Sequence, residues 1–434
     1  MKDPMYFENY GEPLDFEAPE KGDKALVPNY IVNLFSAITV LGTCAVVGHV
    51  YVASWRGARG HHKLPAGSPF LPDEMEPLDG WTGEWHSLMP SPRPIVCFLN
   101  REGFLRPPPD TLVLRHFPGF YCNEIVYDGL VFENATLQLL ADATDDAIVR
   151  QLNRIRDALF PHWKVVVNVF MQGFPPKRLY ENSSVLLGSL FTWLEGRHVD
   201  GLNFELDGDA LFGDEGAAMD IVAFFTSAYV DHRRGNLTLS AMFPHGAATL
   251  FHEDLPFALD RIFIKTHALL DESSGTTQLA APLDYAGLTH RRSKHRTIMG
   301  LLEDLEDKLS TKTCFTVALS GTAFKLRQAS QRDVGDPVEP VPPARASFSD
   351  VCAVVPGRVK RIEDDAAYTA ENHTWVAHED QFTVFEKAAK VLMHWRFLCV
   401  GAVDVDLDDV RGECGRTYPL LRRIYETSST LKYS

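Results

Sequence analysis

Between Val199 and Gly208 the chain reads VDGLNFELDG, with Asn203, Glu205 and Asp207 at every second position. On an extended strand such side chains share a face, so these three point one way while Leu202, Phe204 and Leu206 point the other. A face of two carboxylates and an amide is material for acid–base chemistry when water is kept away, and the wet side of a half-buried antiparallel strand when it is not. In a buried sheet, three such groups would be costly without a function. The surrounding elements therefore decide what the stretch is for.

Short apolar runs rich in β-formers recur at 94–99, 124–132, 164–170, 200–206, 236–243, 261–266, 314–320 and 399–405. Between them lie stretches with Leu, Ile, Val and Phe at helical spacing, at 145–160, 183–197, 216–232 and 381–395. Alternating strand and helix predicts a parallel sheet, and eight repeats predict an α/β fold, a closed (β/α)8 TIM barrel over about 92–430. A Pro-rich, then mixed, interruption at about 321–378 reads as a subdomain inserted before the last helix. Functional groups of such barrels gather at the C-terminal ends of the strands, where Glu205 and Asp207 fall on the fourth strand.

Ahead of the barrel, residues 30–55 carry no Asp, Glu, Lys or Arg and are long enough to cross a hydrocarbon core of about 30 Å. The expectation is one transmembrane helix; its competitors are a cleaved signal peptide, normally shorter and nearer the N-terminus, and a buried core helix. Lys21 and Lys24 on one side nearly balance Arg56, Arg59 and Lys63 on the other, so positive charge does not fix the orientation. Four N-x-S/T sequons, at Asn134, Asn182, Asn236 and Asn372, all follow the segment, and such acceptors are used only in the lumen or outside. Cys44 lies in the apolar segment, leaving Cys97, Cys122, Cys314, Cys352, Cys399 and Cys414, an even number suited to three disulfides or, alternatively, six reduced core thiols. The expected layout is a type II, single-pass membrane glycoprotein: an acidic cytoplasmic tail (1–29), a signal anchor (30–55), a Pro/Gly-rich stalk (56–91) and a luminal or extracellular body. A formal net charge of -16 argues against nucleic acid as a partner.

DGLNFELD resembles the D-G-x-D-x-D-x-E signature that ends the fourth strand in family-18 glycoside hydrolases, the chitinases and chitinase-like lectins. LDRIFIKTHALLDESSGTTQLAAPL (259–283) is similar to that family's sixth strand and following loop, and VGAVDVDLDDVRGECGRTYPLLRRI (400–424) to its closing segment. ENHTWVAHED (371–380) is similar to the end of its inserted α+β subdomain. The resemblance spans about 93–428 with its motifs in order. It implies bridges Cys97–Cys122 and Cys352–Cys414; the remaining Cys314 and Cys399 open the seventh and eighth strands, neighbours in a closed barrel, which suggests a third.

In that family the final Glu of the signature is the general acid, and the Asp two residues earlier holds the substrate's N-acetyl group, whose carbonyl oxygen attacks the anomeric carbon. Carried over, the acid position is Asp207, the N-acetyl position Glu205 and the inner support Asn203, with Asp200 opening the motif. All three of the working positions are changed. An Asp207 proton would stop roughly 1 Å short, a displacement that costs about 100-fold, and loss of proper general acid catalysis forfeits roughly 100-fold to 10,000-fold. The family's sixth-strand Met-x-Tyr-Asp is matched by Lys265, His267 and Ala268, its floor tryptophan by Val403, and its third-strand Gly-Gly by Phe170 and Met171. Lys265 is expected to pair with Glu205 or Asp207. Asp404, Asp406, Asp408 and Asp409 suggest a structural run rather than a metal site, and the histidines, His61 and His62 included, show no ligand spacing. The expectation is a catalytically inactive, cofactor-free chitinase-like protein that binds chitin or another N-acetylglucosamine glycan. Two alternatives stand beside it, a hydrolase using Asp207 as acid and a non-carbohydrate signalling or scaffold ectodomain.

Overall fold

The computed structural model describes residues 91–206, 216–232, 236–246, 251–271, 274–284, 296–352, 360–362 and 366–431. The expected tail, the apolar segment 30–55, residues 56–90 of the stalk and Asp207 lie outside them. Among the described residues no helix is long and apolar enough to cross a membrane.

Among the described residues fourteen strands form two sheets. Eight are parallel and close into a barrel: β1 (Ile95–Asn100), β2 (Glu124–Glu133), β4 (Lys164–Gln172), β5 (Gly201–Leu206), β6 (Thr238–Phe243), β7 (Arg261–Ile264), β8 (Thr313–Ala318) and β14 (Cys399–Val403). The short β3 (Gln138–Leu140) pairs antiparallel with the end of β2. The insertion supplies β9 (Gly321–Lys325), β10 (Ala344–Ala346), β11 (Lys360–Ile362), β12 (Ala366–Glu371) and β13 (Thr374–His378), an antiparallel sheet ordered β10-β9-β13-β12-β11. All eight runs of the repeating pattern are barrel strands, and the interruption at 321–378 is this second sheet.

Alternation along each strand sorts side chains between two cores. On β4, Val165, Val167, Val169 and Met171 join the cluster between sheet and helices, whereas Val166 joins an interior cluster with Val96, Phe98, Val126, Met242 and Phe263. Phe98 and Phe263 meet edge to face, ring centroids 5.2 Å apart, and help fill the lumen. Gly201, the first glycine of VDGLNFELDG, is set by packing: a Cβ there would sit 2.6 Å from the backbone oxygen of Thr238 on β6. The helix over Ala143–Leu159 begins where the Asp142 side chain accepts from the backbone N–H of Thr144 and Asp145.

Three disulfides fasten the fold: Cys97–Cys122, Cys314–Cys399 and Cys352–Cys414. Cys314 and Cys399 are register partners on the adjacent strands β8 and β14.

Candidate functional site

The C-terminal rim of the barrel carries a connected polar network. Parity along β5 turns Gly201, Asn203 and Glu205 inward, while Leu202, Phe204 and Leu206 pack against the helices. Glu205 Oε1 accepts from Lys265 Nζ at 2.8 Å, and Glu205 Oε2 accepts from Asn168 Nδ2 at 3.1 Å. The same Asn168 nitrogen donates to Asp128 Oδ1 on β2 at 2.8 Å. With that nitrogen facing two carboxylates, Asn168 presents its oxygen to Asn203, whose Nδ2 donates to it at 2.7 Å. The chain of bonds therefore fixes both amide orientations, and it leaves Asn203 Oδ1 buried without a partner among the described residues. Glu205 and Lys265 expose 14% and 26% of their side chains, so the pair is partly shielded.

A second cluster centres on Asp404, which leaves β14 in the left-handed conformation at φ 57°. Its carboxylate accepts from Asn100 Nδ2 at 2.8 Å and from Ser320 Oγ, and pairs with Arg345 Nη1 at 3.0 Å. Asn100 also donates to Asp406 Oδ1 at 2.7 Å, and Arg106 pairs with the other oxygen of Asp406. Burial alone would raise the Asp404 carboxyl, but Arg345, Ser320 and Asn100 outweigh it and hold it below the usual carboxylate range.

His267 feels both clusters. Burial, reinforced by Lys265, lowers its imidazole to about 3 despite the opposing pull of Asp404 and Glu205. The ring is thus neutral at physiological pH. Its Nδ1 lies 2.8 Å from Thr316 Oγ1, which donates to the Ile264 carbonyl at 3.0 Å. The hydroxyl proton being committed there, Nδ1 carries the histidine's proton and donates to Thr316.

Several sequence-derived positions fall elsewhere. Asp200 sits at the opposite, N-terminal end of β5, where it pairs with Arg156 Nη1 at 2.6 Å and accepts from the Val165 backbone at 2.8 Å; it holds the strand and takes no part in the cleft. Met171 does not line the cleft, because strand parity turns it outward into the sheet–helix core, where it is fully buried. Phe170, one residue earlier, faces inward beside Glu205, its register partner on β5. Val403 lies in the interior cluster. Sequence reasoning missed Asp128, Asn168, Asn100 and Arg345. The first three stand on inward-facing alternations of their strands and were legible in principle; Arg345, in the stretch VPPARAS, carries no signal of its own.

The acids after Asp404 are occupied with backbone. Asp408 accepts from the N–H of Leu421 at 3.0 Å and of Asp409 at 2.8 Å, and Asp409 accepts from that of Cys414 at 2.6 Å. Cys352, Asp409 and Cys414 come close together, but the two sulfurs are joined to each other. Between the rim and the insertion sheet is a cavity of about 20 Å³ lined by His267, Ser320, His378 and Glu379 among others. It has room for little more than a water and is too small for a sugar ring.

The closed parallel barrel with its antiparallel insertion is the fold of the chitinases and chitinase-like proteins. Catalytic domain 2 of the Ostrinia furnacalis group II chitinase superposes with a TM-score of 0.68 at 18% identity, over 79% of this chain and 98% of that one. An immunomodulatory active chitinase from Trichuris suis gives 0.66 at 14% identity, over 77% and 99%. Human YKL-39, described as a pseudo-chitinase with retained chitooligosaccharide binding properties, gives 0.62 at 18% identity, over 77% and 99%. No family sequence profile and no curated protein sequence matches the chain.

Proposed function

We propose that the chain is a catalytically inactive, chitinase-like carbohydrate-binding protein. The observation that carries the reading is the state of Glu205, tied by both oxygens to Lys265 and Asn168. A carboxylate so engaged has no oxygen directed solely at a substrate amide, and it stands where the resemblance puts the group that steadies the N-acetyl arm. The acid position holds Asp207, a methylene short of the family's Glu. Substrate-assisted hydrolysis needs both groups in register, and misplacement of either removes orders of magnitude. Binding is less demanding. Arg345 keeps 54% of its side chain exposed, and Phe170 stands partly exposed on the cleft wall, so polar and aromatic contacts remain for a saccharide.

We place the body in the lumen or outside, held by residues 30–55. Support comes from the three disulfides and from sequons on the surface: Asn236 and Asn372 are exposed, whereas Asn134 and Asn182 donate through Nδ2 to the carbonyls of Gly173 and Arg178. Removal of N-glycans should shorten the apparent mass of the protein, and Asn236→Gln with Asn372→Gln should account for most of the shift; no shift would overturn this topology.

The deciding experiment is a calorimetric titration of the full chain in detergent with N-acetylglucosamine oligomers. Saturable heat without continuing reaction heat is the expected outcome. Sustained turnover would overturn the inactive reading, and no heat at all would overturn the carbohydrate reading.

A further inference from the structure

We infer that the cleft is built for an acidic saccharide, a sugar carboxylate docking on the free edge of Arg345 near Lys265; the inference rests on the carbohydrate-binding reading above. Its basis is an imbalance between donors and acceptors. The carboxylates of the rim are engaged: Glu205 by Lys265 and Asn168, Asp404 by Arg345, Asn100 and Ser320, and Asp128 by Asn168. The cations are not used up. Among the described residues Arg345 bonds through Nη1 alone, to Asp404 at 3.0 Å and to Asn100 Oδ1 at 3.4 Å, which leaves Nε and Nη2. Those two N–H groups form the edge of the guanidinium that matches a carboxylate with two parallel bonds. Lys265 spends one of its three donors on Glu205.

Exposure puts these donors within reach. Arg345 is 54% and Lys265 26% open to solvent, while their partners Asp404 and Glu205 are 5% and 14% open. A ligand entering the cleft therefore meets cationic N–H groups first and the acids behind them. The acids keep both cations charged and hold their stems in place, which is preorganisation for an incoming anion. A neutral N-acetylglucosamine chain would offer these groups only hydroxyl and amide oxygens, and charge-assisted bonds are roughly twice as strong as neutral ones. The formal net charge of -16 opposes an anionic ligand at long range, but that field is screened beyond about 8 Å at physiological salt and the cleft contacts are not.

The test titrates the full chain in detergent with two hexasaccharides of equal length, chitohexaose and a hyaluronan hexamer that alternates N-acetylglucosamine with glucuronate. The hyaluronan hexamer is expected to bind about 10-fold tighter, with a preference that shrinks as sodium chloride rises. Arg345→Gln should abolish the preference, and Arg345→Lys, which keeps the charge and loses the fork, should restore only part of it. Equal or weaker binding of the hyaluronan hexamer in the wild-type protein overturns the inference and leaves the carbohydrate reading standing. Binding of neither hexasaccharide overturns both. A preference untouched by either substitution, in variants that melt cooperatively, also overturns it. The wild-type comparison decides the matter even if a variant fails to fold.

Discussion

Lys265 Nζ and Glu205 Oε1 stand 2.8 Å apart, a bond that joins the end of β7 to the end of β5 across the intervening β6. A carboxylate on β5 and a cation after β7 thus answer each other at the rim. Lys265→Met should take the bonded cation away from the partly buried Glu205 and cost about 2 kcal/mol in chemical denaturation, discounted for the exposure of the pair. Adding Glu205→Gln should recover a large part of that loss. Strict additivity of the two substitutions would show that the bond has no energetic weight.

An acid at position 203 is predicted to harm the protein. Asn203→Asp would set a carboxylate against Asn168 Oδ1, and turning the Asn168 amide to relieve that contact would aim its oxygen at Asp128 and Glu205. The expected cost is about 2–3 kcal/mol, with no chitin turnover gained. A thermal melt and a chitooligosaccharide hydrolysis assay on the single variant check both halves, and an unchanged melting temperature would refute the network as described.

The histidine gives a pH dependence with a definite sign. The folded imidazole of His267 titrates at about 3, below its unfolded value of about 6.5, so the unfolded chain binds the extra proton between those values. Stability is retained above about 6.5 and falls as the pH drops through the window below it. His267→Gln should therefore lose about 1–2 kcal/mol less than the wild type between pH 7 and pH 5. Denaturant midpoints at the two pH values measure the difference; parallel losses would mean that the ring is protonated in the fold.

The Cys352–Cys414 bridge spans 62 residues and closes the insertion onto the loop after β14. Replacing both cysteines by serine should cost about 3–4 kcal/mol by lengthening the free chain of the unfolded state. Peptide mapping without reduction should recover all three bridged pairs, and any other pairing would contradict the barrel's register.

Period-2 and period-3.6 patterns placed all eight barrel strands because each strand is apolar on both faces below the rim, a signal that survives in a single sequence. The inward alternation of Asn203 and Glu205 was equally plain. What the pattern did not show was which amide faces which acid, because Asn168 and Asn203 are 35 positions apart and meet only through the register of β4 on β5. Met171 was misplaced although neighbours on a strand face opposite ways: with Phe170 inward it had to turn outward into the sheet–helix core. Arg345 was beyond reach, since its short strand β10 gains its position from β9 and not from its own residues.

Asn100 and Asp404 lie 304 residues apart and are bonded where the first barrel strand meets the last. During synthesis the quoted motif, its lysine and the arginine of the insertion all emerge before β14 exists. A nascent chain halted at that stage has Glu205, Lys265 and Arg345 and no seam between first and last strand. The bonded rim is therefore a late acquisition of synthesis, complete in finished chains and missing its closing seam in partial ones.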